Sequence, residues 1–256
     1  GYGSLENNTT GNNSTAVGQG SLGANTCGSA NTAIGKSAML CNSSGSLNTG
    51  VGENALRENT TACCNTAVGV GALYSNNTGC FNTAVGNSAL YTNTCGICNT
   101  AMGRNALLSN SCGHCNIAIG SGTLYANTTG CYNVSVGTRS MLSNTTARYN
   151  VAVGNQALHD NTTGECNVAI GMCSLYQNVT ASGNSFLGYL AGCCSNAAGN
   201  IGIGVFALRV NKAGCYNTGV GFCSLRANID GNFNTGLGYL SLACNTEGDQ
   251  NSSVGI

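Results

Sequence analysis

The chain has no proline and no tryptophan, and only 6% of its residues are charged. Eight basic and eight acidic residues cancel to a net charge of zero. No basic patch exists to hold a phosphate backbone, which excludes electrostatic nucleic-acid binding. No apolar run is long enough to span a bilayer. No carboxylate pair, nucleophile constellation or phosphate-binding glycine loop stands out, and the two histidines, His114 and His159, fall in different repeat positions. The sequence therefore carries no catalytic residues and no cofactor site, and reads as a non-enzyme. Low charge and many small polar residues also describe disordered chains. A strict repeat register argues against disorder here, because a disordered segment has no need to hold a column in place.

That register is what the chain does have. The phrase Asn31-Thr32-Ala33-Ile34-Gly35 returns along the whole sequence, as at Asn65 to Gly69 and Asn82 to Gly86. Its closing glycine recurs every 17 residues, with one step of 16 between Gly188 and Gly204. Repeats this short cannot bury a core alone and must stack. The expected fold is all-β: a β-solenoid or parallel β-roll of about fifteen 17-residue coils. At ~4.8 Å per coil this predicts a rod roughly 70 Å long. Residues 1–256 read as a single array, a segment of a longer fibre because the chain starts and stops within the motif. An irregular coil is expected near 189–203, where Gly192 breaks the leucine column beside the short step.

The columns suggest how each coil is built. The residue before the closing glycine is always apolar, as in Ile34, Val68 and Met102. Three before it stands Thr or a β-branched aliphatic (Thr66, Ile117, Val151), and five before it Leu47, Cys64, Phe81, Tyr132 or similar. Period-two alternation is a strand signal, and hydrophobicity assigns this face to the interior. The opposite face, Asn then Ala, Gly or Ser then Gly, would be a packing surface. A second, shorter strand is expected around the Leu or Met four residues after the glycine, as in Leu56 and Leu73. Asn-Thr-Thr-Gly between them supplies tight-turn chemistry. Stacking aligns two asparagine columns, Asn31 to Asn251 and Asn25 to Asn178, whose amides can bond to the copies above and below. Charges avoid the strand and gather after the glycine (Lys36, Glu53, Arg104) or after the leucine (Arg57, Arg209, Arg226), which predicts solvated edges.

The seventeen cysteines also fall in columns. Cys63 and Cys80, Cys95 and Cys112, and Cys98 and Cys115 are each one stride apart, within disulfide reach on neighbouring coils. A bridge within one coil, Cys95 to Cys98, competes. Free buried thiols are a further possibility, and an odd count leaves at least one thiol unpaired or linked to another chain. Cys95-Gly96-Ile97-Cys98 followed by Cys112-Gly113-His114-Cys115 has near zinc-ribbon spacing. The repeat alone forces that spacing, so no metal is assigned. Disulfides imply an oxidising, extracellular setting. The turn column forms Asn-x-Thr/Ser at Asn8, Asn42, Asn59, Asn76, Asn127, Asn144, Asn161 and Asn178. These read either as N-glycosylation acceptors or as turn chemistry alone. An amide cannot both carry a glycan and lie in an interior ladder. Tyr74, Tyr91, Tyr125 and Tyr176 follow the leucine column and could stack on sugars or along the array.

Asn167-Val168-Ala169-Ile170-Gly171 and Asn116-Ile117-Ala118-Ile119-Gly120 resemble the head repeat of trimeric autotransporter adhesins. The longer phrase from Asn65 to Asn76 resembles repeat shafts of phage and giant-virus tail-fibre-like proteins. The resemblance covers essentially the whole chain. It implies a left-handed parallel β-roll wound from three chains, forming an adhesive or spacer fibre on a cell or virion surface. The coil here is longer than the usual adhesin coil and far richer in cysteine. The expected function is an extracellular structural fibre or filament shaft, self-associating as a filament or homotrimer, with a cell-surface or glycan receptor as a further partner. The alternative is an ice-binding solenoid, since low-charge, cysteine-stapled repeats with Thr-bearing faces resemble insect antifreeze proteins. Against it, the strand threonine gives way to Ile117, Val134, Val151 and Val168, and the alternation turns that column inward.

Overall fold

The computed structural model describes residues 1–256 and contains strands and turns but no helix. The fold is a parallel β-solenoid in which each coil contributes one three-residue strand. The chain divides into two units, Gly1–Cys131 and Tyr132–Ile256. The first holds β1 (Thr15–Val17), β2 (Thr32–Ile34), β3 (Thr49–Val51), β4 (Thr66–Val68), β5 (Thr83–Val85), β6 (Thr100–Met102) and β7 (Ile117–Ile119). The second holds β8 (Val134–Val136), β9 (Val151–Val153), β10 (Val168–Ile170), β11 (Ser185–Leu187), β12 (Ile201–Ile203), β13 (Thr218–Val220), β14 (Thr235–Leu237) and β15 (Ser252–Val254). Within each unit consecutive strands pair in parallel and in register, like over like: Thr66 on Thr83, Ala67 on Ala84, Val68 on Val85.

The second strand foreseen around the leucine column is absent. Residues there form a run of turns, because the leucine itself is left-handed: Leu56 and Leu73 both have φ 51°. A second left-handed residue precedes each by two positions, such as Asn54 at φ 58°. A chain bent this way cannot extend. It still ladders to the next coil through backbone bonds, Leu56 N–H donating to Ala72 O at 2.9 Å and Glu58 N–H to Tyr74 O at 2.9 Å. Non-glycine residues in this conformation cost about 1–2 kcal/mol each, a penalty that the repeated ladder bonds oppose.

The strand's two faces are the reverse of the sequence expectation. Ala33, Ala67, Ala84 and Ala101 are fully buried, as are Asn31, Asn82 and Asn99. The column expected to line the core lies outside: Ile34 is 40% exposed and Met102 43%. Leu47 and Phe81, five before the glycine, are about 60% exposed. The physical reason is width. The Leu or Met column is fully buried from Leu22 to Leu124 and again at Met141, Leu158 and Leu175. It reaches across the coil to the underside of the strand, so that a Cβ on Gly50 would lie 3.1 Å from Met39 Cε. Only Ala, Gly or Ser fits opposite, with Phe186 the one large exception. The aliphatic side chains take the face that has room.

The polar remainder of the interior is asparagine, and it is laddered as the columns imply. In the turn column each side-chain amide donates to the copy before it, Asn42 to Asn25 Oδ1 at 2.9 Å and Asn59 to Asn42 Oδ1 at 2.7 Å, and also to a carbonyl three residues on. In the strand column the Asn48 backbone N–H donates to Asn31 Oδ1 at 3.0 Å, while Asn48 Nδ2 donates to Ala62 O at 2.8 Å. Buried amides are thereby kept satisfied coil after coil.

The coil between β11 and β12 is one residue short, yet register holds: Ser185 pairs with Ile201 and Leu187 with Ile203. Three substitutions act together there. Phe186 stands in the alanine column, Gly192 in the leucine column and Gly202 opposite, and the buried Phe186 ring fills the volume that the missing leucine leaves. A Cβ on Gly192 would come 2.5 Å from that ring. Ser195 replaces the turn asparagine, and the ladder breaks. Asn178 Oδ1, Asn184 Nδ2 and Ser195 Oγ are buried without partners. At about 1–3 kcal/mol for each unsatisfied group, the broken ladder weakens this coil.

Candidate functional site

The outward strand face carries aliphatic residues and threonine but no charge. Three columns line it in each coil, for example Phe81, Thr83 and Val85 on β5 with the residue before it, and Tyr149, Val151 and Val153 on β9. None of the charged residues falls in these columns or between them. In the second unit β8, β9 and β10 present Val134, Val136, Val151, Val153, Val168 and Ile170, with the exposed, stacked rings of Tyr132 and Tyr149 beside them. In the first unit β1 to β6 present threonine beside an aliphatic residue on every coil. The face is about 13 Å wide by strand geometry and extends ~4.8 Å per coil, giving each unit a patch on the order of 400 Å². That matches the largest apolar patch on an ordinary soluble monomer, which is often functional.

The charged residues sit at the edges as expected. Lys36 Nζ lies 3.8 Å from the Glu53 carboxylate on the next coil, both well exposed. The aromatics stack along the array. Tyr74 and Tyr91 have ring centroids 4.8 Å apart at 13°, and His159 and Tyr176 4.7 Å apart at 5°. Each such pair covers one face of each ring. Tyr125 is 38% exposed. Arg57 lies over Tyr74 and donates to its hydroxyl at 2.7 Å. The histidines remain apart: His114 Nδ1 accepts from the Ile97 N–H at 3.1 Å, and His159 Nδ1 lies 2.6 Å from Asp160 Oδ1.

Of the six candidate bridging cysteines, Cys95 and Cys112 form a disulfide between adjacent coils, with Cα atoms 4.9 Å apart. Closing a 17-residue loop contributes about 3 kcal/mol. The competing Cys95–Cys98 bridge is not made. Cys63 and Cys80 are free thiols with sulfurs 3.4 Å apart, and Cys98 and Cys115 are free thiols one coil apart. The zinc-ribbon alternative fails because two of its four sulfurs are in the disulfide. The Cys80 side-chain hydrogen bond, with burial, pushes the Cys63 thiol up to about 11. Burial, with the neighbouring Cys194, pushes Cys193 up to about 12. Burial also raises Cys115 and Cys173. Thiols shifted this way stay protonated at neutral pH and are poor nucleophiles.

The glycosylation candidates divide. Asn8 is exposed. Asn42, Asn59, Asn76, Asn127, Asn144, Asn161 and Asn178 are fully buried, and their side-chain nitrogens donate into the ladder or to the turn carbonyl. A glycan on any of these seven and the folded coil exclude each other. Sequence reading passed over Asn7, Asn12, Asn13 and Asn251, which also head Asn-x-Ser/Thr triplets and are exposed, and the buried Asn133. A plain triplet scan, without regard to the repeat column, would have found all five.

No helix of the structure is long and apolar enough to cross a membrane. No family model matches the chain, and no curated protein matches its sequence.

Proposed function

We propose that this chain is a structural segment of an extracellular fibre, non-catalytic, and that it assembles with copies of itself through the aliphatic strand face of its second unit. The observation that carries this reading is the charge-free Val and Ile surface of β8, β9 and β10, which points outward and is half-buried, with Val153 exposed. The hydrophobic effect drives such a face against another apolar surface. A second copy offers an identical pattern at an identical ~4.8 Å repeat, so side chains of one copy can seat between those of another along the whole stack. The Cys95–Cys112 disulfide supports an oxidising location. The resemblance to trimeric adhesin heads and tail-fibre shafts points the same way, toward a spacer or adhesive fibre on a cell or virion surface.

Sedimentation of the purified chain tests the proposal. The wild type is expected to sediment as an oligomer, with elongated particles in electron micrographs. The double substitution Val151→Lys, Val153→Lys places two like charges on that face. It is expected to give monomers with an unchanged circular dichroism spectrum, because both side chains point away from the core. A wild type that stays monomeric at every concentration, or a variant that still assembles, refutes it.

A further inference from the structure

The chain has two outward threonine columns, and they are not equivalent. In the turn column the hydroxyls are spent on the protein. Thr9 Oγ1 donates to Thr26 O at 2.8 Å, Thr26 to Ser43 O at 3.0 Å and Thr94 to Ser111 O at 3.1 Å. In the strand column Thr15, Thr32, Thr49, Thr66, Thr83 and Thr100 face outward, and their hydroxyls have no protein partner. Six free hydroxyls thus stand one above another, held by direct Thr-on-Thr pairing from β1 to β6.

We infer that the threonine strand face of β1 to β6 binds ice. The column repeats at ~4.8 Å along the stack, and its aliphatic neighbour lies two residues away, ~6.7 Å across the strand. These two lengths approximate the two oxygen repeats on a prism face of ice. A hydroxyl that binds ice must be free to join the lattice, and the strand hydroxyls are free where the turn hydroxyls are not. The threonine methyls and the adjoining Val17, Ile34, Val51, Val68 and Val85 hold water in ordered positions between them without capturing it in strong hydrogen bonds. Charged groups would organise water in shells that do not match ice, and this face has none. The lattice is also stiff, because buried Ala33, Ala67, Ala84 and Ala101 and a laddered asparagine column back the strands. The inward orientation expected for these threonines, which weighed against ice binding, does not hold. The replacement by Ile117, Val134, Val151 and Val168 ends the unbroken six-threonine column at β6 instead of abolishing it; only Thr218 and Thr235, on β13 and β14, resume it in the second unit.

Thermal hysteresis of the purified, folded full chain tests the inference. The wild type is expected to separate freezing from melting and to shape ice crystals with flat facets. Thr66→Tyr, whose ring stands above the lattice, is expected to lose most of that activity. Thr26→Tyr, an equal change in the turn column, is expected to keep it. The strand-face variant Val151→Lys, Val153→Lys is expected to keep it as well, which separates ice binding from self-association. Absence of hysteresis in both the wild type and this variant overturns the inference. Equal activity in Thr66→Tyr and Thr26→Tyr also overturns it, whatever sedimentation shows about assembly.

Discussion

Asn76→Asp is expected to destabilise the first unit by about 3–6 kcal/mol, the loss of two or more buried hydrogen bonds with their partners left unsatisfied. Asn76 is fully buried. Its Nδ2 donates to Asn59 Oδ1 at 2.9 Å and to Gly79 O at 2.8 Å, and its Oδ1 accepts from Asn93 Nδ2 at 2.8 Å. A carboxylate keeps the acceptor but turns both donations into contacts between oxygens. It also buries a negative charge with no cation in the ladder to compensate it. Protonation would restore one donor, so stability should recover partly as pH falls. The next residue provides the control. Asn77 is exposed, and Asn77→Asp should stay within about 0.5 kcal/mol of the wild type. Urea denaturation of the two variants followed by circular dichroism measures the difference. Similar midpoints would mean that the amide column is not a structural ladder.

Gly69→Ala is expected to cost about 3 kcal/mol or more, combining backbone strain with a clash that no side-chain motion relieves. Gly69 has φ +136°, a region that L-residues rarely enter, and a Cβ there would lie 2.5 Å from Gly86 O and 2.7 Å from Gly86 C. The obstacle is the backbone of the next coil. Relief requires pushing the coils apart, which stretches the bond from the Gly86 N–H to Val68 O, now 2.8 Å. The same approach recurs at Gly103, where a Cβ would lie 2.6 Å from Gly120 O. This is why glycine closes every repeat. Gly71 makes the contrast: its φ is +64°, its column elsewhere holds Asn54, Ser88 and Asn105 at φ 54° to 58°, and a Cβ there would meet the Tyr91 ring at 3.1 Å, a side chain that can give where the backbone of the next coil cannot. Gly71→Asn should therefore change stability by less than about 1 kcal/mol. Thermal or urea midpoints of the two variants decide the point, and equal losses would contradict it.

The stride, the parallel register, the leucine core and both asparagine ladders were legible in the sequence, because each is a column that repeats without a tertiary decision. The strand's orientation was not. Period-two alternation at Thr66-Ala67-Val68 separates two faces but does not say which is inside. Hydrophobicity chose Val68, and the coil chose Ala67, because Leu56 and Leu73 already occupy the interior. The size tolerance of the columns carried the missing signal. The position of Ala67 takes almost only Ala, Gly or Ser, while the position of Phe81 takes Asn, Ala, Gly, Leu, Cys, Phe, Tyr or Gln. A position that accepts such a range of shapes is not packed. The second strand failed for a different reason. Leu56 in a left-handed conformation contradicts its ordinary preference and follows from inter-coil bonding, which propensity does not see. The site inherited the orientation error, since the face read as core is the face that points outward. Of the cysteine columns the sequence could show which pairs were in reach, but not that Cys95 and Cys112 would be the pair that closes.

The most direct test of the account is a matched pair of lysine substitutions on β4, Ala67→Lys and Val68→Lys, compared by circular dichroism and urea denaturation. With alanine inside and valine outside, Val68→Lys should fold with stability within about 1 kcal/mol of the wild type, and Ala67→Lys should fail to fold its coils. A folded Ala67→Lys beside an unfolded Val68→Lys would show that the solenoid is wound the other way out.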